Sequence, residues 1–308
     1  MTTHFIDIDD HDLEWLLHVL EVSHTLKAER ESGEPNEPIL TGRTLAMLFE
    51  KPSLRTRVSF QQAMYELGGQ AIILHNQEFG IGERESASDI ARVLSGMVHG
   101  IMARVFDHQK LRDLAEHATV PVINALSDSS HPCQALADLM TMQEEFGPDL
   151  TGRTLAFIGD GNNVARSLAR LCARMGVRFI LAAPQGYQLE PELYDTIRAD
   201  APGADLLTIT DPIAAARQAD AIYTDTFVSM GQETEKEERL AVFKDYQVNE
   251  RLMAAAPRHA IALHCLPAYR GVEITDAVMD GPQSRAFPQA HNRLHAQKGL
   301  LAVLLGGS

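Results

Sequence analysis

The chain has 308 residues, 45% of them hydrophobic and 22% charged, with a formal net charge of −15. That composition belongs to a soluble globular protein long enough for two domains, and its acidity disfavours nucleic acid and anionic membrane as partners. No stretch approaches the roughly 18 consecutive apolar residues of a membrane-spanning helix.

The first ten residues are acidic and carry neither an apolar signal core nor arginine-rich transit character, and Cys133, Cys172 and Cys265 stand far apart without metal-ligand spacing. A reduced, cytoplasmic compartment is the expectation. Leu13, Leu16, Leu17 and Leu20 recur at helical spacing and predict a helix over about residues 10–31. A loop (33–38), a strand (45–49) and a helix (53–67, stopped by Gly68 and Gly69) follow. Residues 71–74 read as a short buried strand and 76–84 as a glycine-containing loop. Helix, strand, helix, strand and helix are then predicted at 88–99, 100–105, 111–117, 121–124 and 132–146. The turn-rich stretch 147–152 is the best domain boundary, and the alternation restarts beyond it. Strands at 154–158, 178–182, 205–210, 221–224 and 260–264 alternate with helices at 164–175, 191–200 and 214–219. The charged run 231–245 reads as a mobile, lid-like loop, and a last helix spans about 290–305. Alternation of this kind predicts α/β units with parallel sheets covered by helices on both faces.

Five segments carry chemistry. Lys51, Ser53, Arg55, Thr56 and Arg57 cluster where a strand runs into a helix N-terminus. Free N–H groups with nearby cations suit an anion, phosphate best; a merely capped helix with surface arginines is the plainer alternative. His131 precedes Pro132 at a helix start, one turn from Gln134. An imidazole and an amide so spaced can bind a carbonyl and its amide neighbour, although a lone histidine is often structural. Gly159, Asp160, Gly161, Asn162 and Asn163 form a strand–turn–helix that lacks the third glycine and the later ribose-binding acid of a dinucleotide site. Asn162 and Asn163 could instead hold a carboxylate. Asp225 ends a strand, where ligands of open α/β sheets bind, and could pair with an ammonium. Cys265 follows His264 at another strand end. It would be a nucleophile with a base in reach, or a thiol that touches substrate without attacking it.

Taken together, these residues resemble the carbamoyltransferases, and among them the ornithine carbamoyltransferases. Ser53-Leu54-Arg55-Thr56-Arg57 and His131-Pro132-Cys133-Gln134 match the two motifs of the whole superfamily. Asp225 with Ser229-Met230-Gly231, His264-Cys265-Leu266-Pro267 and Arg293 match the ornithine branch. The similarity runs from about residue 40 to the C-terminus. It implies two doubly wound parallel-sheet domains with the active site in the cleft between them. Residues 1–147 would bind carbamoyl phosphate, with a C-terminal helix (290–308) crossing back, and residues 148–289 would bind ornithine. It also implies a homotrimer, or an assembly of trimers.

By matching position, Ser53, Leu54, Arg55, Thr56, Arg104, His131 and Gln134 would bind carbamoyl phosphate, completed by Cys265, Leu266 and Arg293. Asn163, Asp225, Ser229 and Met230 would hold ornithine, and Arg55, Arg104, His131 and Cys265 would form the catalytic set. The implied reaction gives citrulline and phosphate, with no metal and no organic cofactor. Gly80 departs from the pattern: many members place there a glutamine or histidine that reaches a neighbouring subunit's phosphate, a contact that Gln77 or Arg84 would have to supply. Putrescine, an N-modified ornithine, or ligand binding without turnover are the alternatives.

Overall fold

The computed structural model describes residues 3–228 and 233–307 and divides into two compact units, Met1–Met140 with His291–Ser308, and Thr141–Ala290. Both are α/β. None of the described helices is long and apolar enough to cross a membrane.

In the first unit, β1 (Thr44–Phe49), β2 (Gln70–His75), β3 (Gly100–Arg104) and β4 (Val122–Leu126) form a parallel sheet in the order β2-β1-β3-β4. Every residue of β1 is buried, which is why the strand reads as an unbroken apolar run rather than an alternation. β2 is not the buried strand expected. It lies at the sheet edge and its side chains are exposed or half-buried, because only one neighbour pairs with it. The helix Leu54–Glu66 packs through Phe60, Ala63 and Met64. Complete burial of a phenylalanine such as Phe60 contributes about 1.5–3 kcal/mol. The expected loop at 76–84 instead opens with a short helix, Asn76–Phe79, ended by Gly80 in the left-handed region (φ 51°).

In the second unit, β5 (Thr154–Ile158), β6 (Arg178–Ala182), β7 (Leu206–Ile209), β8 (Ala221–Thr224) and β9 (Ile261–His264) form a parallel sheet in the order β7-β6-β5-β8-β9. The expected loop at 231–245 is corrected here. From Glu233 onward the segment is helical: Glu233–Glu235, Lys236–Val242 and Phe243–Tyr246 follow one another. Arg239, Phe243 and Tyr246 are buried at spacings of four and three, so one face packs while the charges stay on the other. Residues 229–232, including Ser229 and Met230, lie outside the described residues. The helices Glu250–Ala255 and Asp276–Met279 have no counterpart in the expected elements.

In each sheet the strand order reverses beside its first strand, between β1 and β3 in one unit and between β5 and β8 in the other. The carboxyl ends of such strand pairs open a crevice where open α/β sheets bind ligands.

Candidate active site

The first crossover is cationic. Ser53 caps the helix Leu54–Glu66, its Oγ accepting the Thr56 N–H at 3.2 Å, so the first turn starts directly after β1. Arg55 is half-buried and Leu54 is 73% exposed, so Leu54 has its backbone and not a packed side chain to offer. Arg104 is the last residue of β3 and is buried, and its carbonyl accepts the Glu50 N–H at 2.9 Å, which ties the two strand ends together. Lys51 is also buried, its Nζ 4.1 Å from the centre of the Phe106 ring. Burial, and then Arg104, lowers its pKa from the usual lysine value.

His131 and Gln134 flank the start of the helix Pro132–Phe146, and both are buried. Burial first, then the cations Arg293, Arg104 and Arg55, hold His131 well below the ordinary imidazole range. The ring is therefore neutral at physiological pH. Arg293, on the helix Ala286–Leu305, is 2% exposed. Its Nη1 donates to Gln134 Oε1 at 2.7 Å and its Nη2 to Thr56 Oγ1 at 3.2 Å, while Gln134 Nε2 donates to Asp138 Oδ1 at 2.8 Å. Arg293 thus joins two predicted ligand residues to each other. Cys133 is structural: burial pushes its thiol up to about 12, and its sulfur donates to the Asn124 carbonyl at 3.2 Å.

The second crossover is acidic. Asn162, rather than Asn163, is the cap of the helix Asn163–Arg174, accepting the N–H groups of Val164 and Ala165 at 3.0 and 3.1 Å. Its amide donates to Asp225 Oδ2 at 2.8 Å. Asp225 follows β8, and its Oδ1 accepts the Thr226 N–H at 2.8 Å and the Cys265 thiol at 3.0 Å. Asn163 is half-buried at the first helical position. Gly161 is a glycine for packing: a Cβ there would stand 2.7 Å from the Leu189 nitrogen and 2.8 Å from the Gln188 carbonyl carbon.

The Cys265 thiol faces a carboxylate. Its thiol proton is given to Asp225, and the fully buried His264 makes hydrogen bonds of its own. His264 Nδ1 accepts the Leu266 N–H at 2.9 Å, so the ring proton resides on Nε2 and is donated to Glu273 Oε1 at 3.1 Å. The His264–Glu273 pair thereby fixes the turn at Leu266, which has φ 55°. Asp225, His264 and Cys265 are the one group of potential metal ligands among the described residues, with donor atoms within 4.8 Å of one another. Both imidazole nitrogens are already engaged.

Arg239 braces this floor from below. Its Nε donates to the Phe227 carbonyl at 2.6 Å, its Nη2 pairs with Asp160, and the guanidinium lies 4.9 Å from the Tyr187 ring centre. Burial raises the Asp160 pKa although Arg239 pulls it down.

Two family models match the chain one after the other. Residues 3–144 match the family model described as aspartate/ornithine carbamoyltransferase, carbamoyl-P binding domain, and residues 151–304 match its Asp/Orn binding domain. The chain belongs to the aspartate/ornithine carbamoyltransferase family. Among relatives, it is 48% identical over 307 residues to an ornithine carbamoyltransferase of Methanopyrus kandleri (99% of this chain, 98% of the relative). It is 50% identical over 299 residues to that of Bradyrhizobium diazoefficiens (97% and 96%). The solved ornithine carbamoyltransferase of Pyrococcus furiosus superposes with a TM-score of 0.95 at 46% identity, covering 99% of this chain and 97% of that one.

Within the family fold, sequence reading missed Asn162 as the Asp225 partner, Asp138 behind Gln134, and Arg239 beneath the second crossover. Only the asparagine carried a local signal, the preference of that residue type for helix caps. Gly80 is a turn glycine whose carbonyl accepts the N–H groups of Glu83 and Arg84 at 3.0 and 2.8 Å. Arg84 is exposed and turns back onto the carbonyls of Gln77 and Glu78 at 3.3 and 3.2 Å.

Proposed function

We propose that the protein transfers the carbamoyl group of carbamoyl phosphate to the side-chain amine of L-ornithine, giving L-citrulline and phosphate. The observation that carries the choice of acceptor is Asp225, a carboxylate held by Asn162, the Thr226 N–H and the Cys265 thiol at the second crossover. An ammonium group complements such a carboxylate. The side chain of aspartate would call for cations in its place.

In this reading the first unit binds carbamoyl phosphate. The N-terminal turn that begins at Ser53, with the Leu54 N–H and Arg55, cradles the phosphate. Arg104, Thr56 and neutral His131 polarise the carbonyl, and Gln134 orients the carbamoyl amide. Arg293, Cys265 and Leu266 complete that set. The second unit binds ornithine through Asn163, Asp225, Ser229 and Met230. The amine nitrogen attacks the carbonyl carbon, negative charge develops on the carbonyl oxygen, and the carbon–oxygen bond to phosphate breaks as the tetrahedral intermediate collapses. The leaving phosphate takes the electron pair and accepts the proton shed by the amine. Donors aimed at the developing oxyanion supply the rate enhancement. We further propose that the chain works as a homotrimer in the cytoplasm, which sedimentation and fractionation would test.

The deciding experiment measures carbamoylated product with ornithine, putrescine, an N-modified ornithine and aspartate offered separately. Citrulline formation dominating by orders of magnitude is the expected result. Preference for putrescine would remove the role of Asn163, and binding of both ligands without turnover would make the chain a non-catalytic homologue.

A further inference from the structure

Behind the first crossover lies a buried polar chain that no proposed ligand contact explains. Ser59 donates its single hydroxyl proton to the Arg55 carbonyl at 2.7 Å. The group facing its lone pairs must therefore be a donor, and that group is the Gln297 amide, which is completely buried. With the Gln297 NH2 turned to Ser59, the amide oxygen faces Arg293 and accepts from Nη2 at 2.9 Å and Nε at 3.1 Å. Arg293 can only donate. It occupies a lone pair of Thr56 Oγ1 and of Gln134 Oε1, and Gln134 Nε2 is held by Asp138.

The consequence is a fixed hydrogen-bond polarity. Because Thr56 accepts from Arg293, its own hydroxyl proton must be donated elsewhere. Because both ends of the Gln134 amide are held, its orientation is set before any ligand arrives. We propose that Gln297, anchored by Ser59, is a positioning residue that locks the Arg293 guanidinium and so aims the Thr56 hydroxyl proton and the Gln134 amide at the carbamoyl group. This rests on the reading of the first unit as the carbamoyl-phosphate site. Gln297 touches no reacting atom. Its influence is on the carbamoyl half of the ligand and not on the phosphate half, which the N-terminal turn and Arg55 hold.

The test is Gln297→Met, which preserves volume and removes both hydrogen-bonding functions. We expect kcat/KM for carbamoyl phosphate to fall about 10- to 100-fold, as for loss of one hydrogen bond to a charged group. KM for ornithine and the inhibition constant of inorganic phosphate should stay unchanged. Gln297→Glu, whose carboxylate still accepts from Arg293 but offers no donor to Ser59, should recover part of the loss. Equal weakening of inorganic phosphate and carbamoyl phosphate, or no effect on either, overturns the proposal. Should the methionine variant fail to fold, Ser59→Ala carries the same split in milder form. Failure of the underlying reading would look different: the wild-type chain itself would form no citrulline.

Discussion

The two units use one topology with opposite sign. Each is a parallel sheet whose order reverses beside its first strand. At the first crossover the strand ends deliver Arg55, Arg104 and, from the last helix, Arg293 around a neutral His131. At the second they deliver Asp225, Asn162 and Cys265. The backbone supplies the crevice in both cases, and the side chains alone decide which charge it accepts. A molecule with a net charge of −15 thus concentrates a few cations at one crossover and carboxylates at the other.

This contrast can be broken at several points. Arg55→Ala should have the largest effect, lowering kcat/KM for carbamoyl phosphate about 100- to 1000-fold as expected for loss of one charge-stabilising donor, with the fold intact by circular dichroism. Near-normal turnover at low carbamoyl phosphate would remove the phosphate site from residues 53–57. Arg239→Met comes next. It strands the partly buried Asp160 carboxylate and should cost up to about 3–5 kcal/mol of stability, read by denaturant unfolding. A loss confined to the second unit would sharpen the comparison. Asp225→Asn should raise KM for ornithine about 10- to 100-fold while binding of carbamoyl phosphate is retained, since it removes one charged partner. Equal loss for both ligands would reject its assignment to the amine.

Acid provides the mildest probe and addresses the first unit. Burial opposes ionisation of Glu66, but hydrogen bonds from Lys298, Gln62 and Arg30 outweigh it and bring the carboxyl to about 2. Its stabilisation is complete above the ordinary value of 4.5 and is lost as pH falls from there toward 2. His295 is held at about 3, first by burial and then by Lys298, Lys27 and Arg30, so the folded chain resists its protonation and loses stability as pH falls from 6.5 toward 3. The melting temperature should therefore drop with acidification below pH 6.5, and His295→Leu should flatten the part of the slope between 6.5 and 3. An unchanged slope in that variant would assign the acid sensitivity elsewhere.

What the sequence disclosed follows from distance along the chain. A strand end, a turn and a helix cap are written in consecutive residues, so 53–57, 131–134 and 159–163 could be recognised as strand–turn–helix or helix-start segments before any coordinates. Partners brought together from far apart could not. Ser59 and Gln297 are 238 positions apart, and Asn162 and Asp225 are 63 apart. The stretch 233–246 was hidden for another reason. Its charges mask three inward-facing residues, one of them an arginine, which hydropathy counts as polar although it is buried against aromatic rings. The edge strand β2 failed as a buried strand because apolarity alone cannot say how many neighbours a strand has.

The first unit is built from two stretches far apart in sequence, Met1–Met140 and His291–Ser308. During synthesis a ribosome releases Ser53, Thr56 and Gln134 long before it reaches Arg293 and Gln297. In the nascent chain Thr56 and Gln134 therefore stay unbraced until the helix Ala286–Leu305 has emerged. A chain cut shortly before Arg293 would keep the sequence of all the strands β1 to β9 and lose this brace.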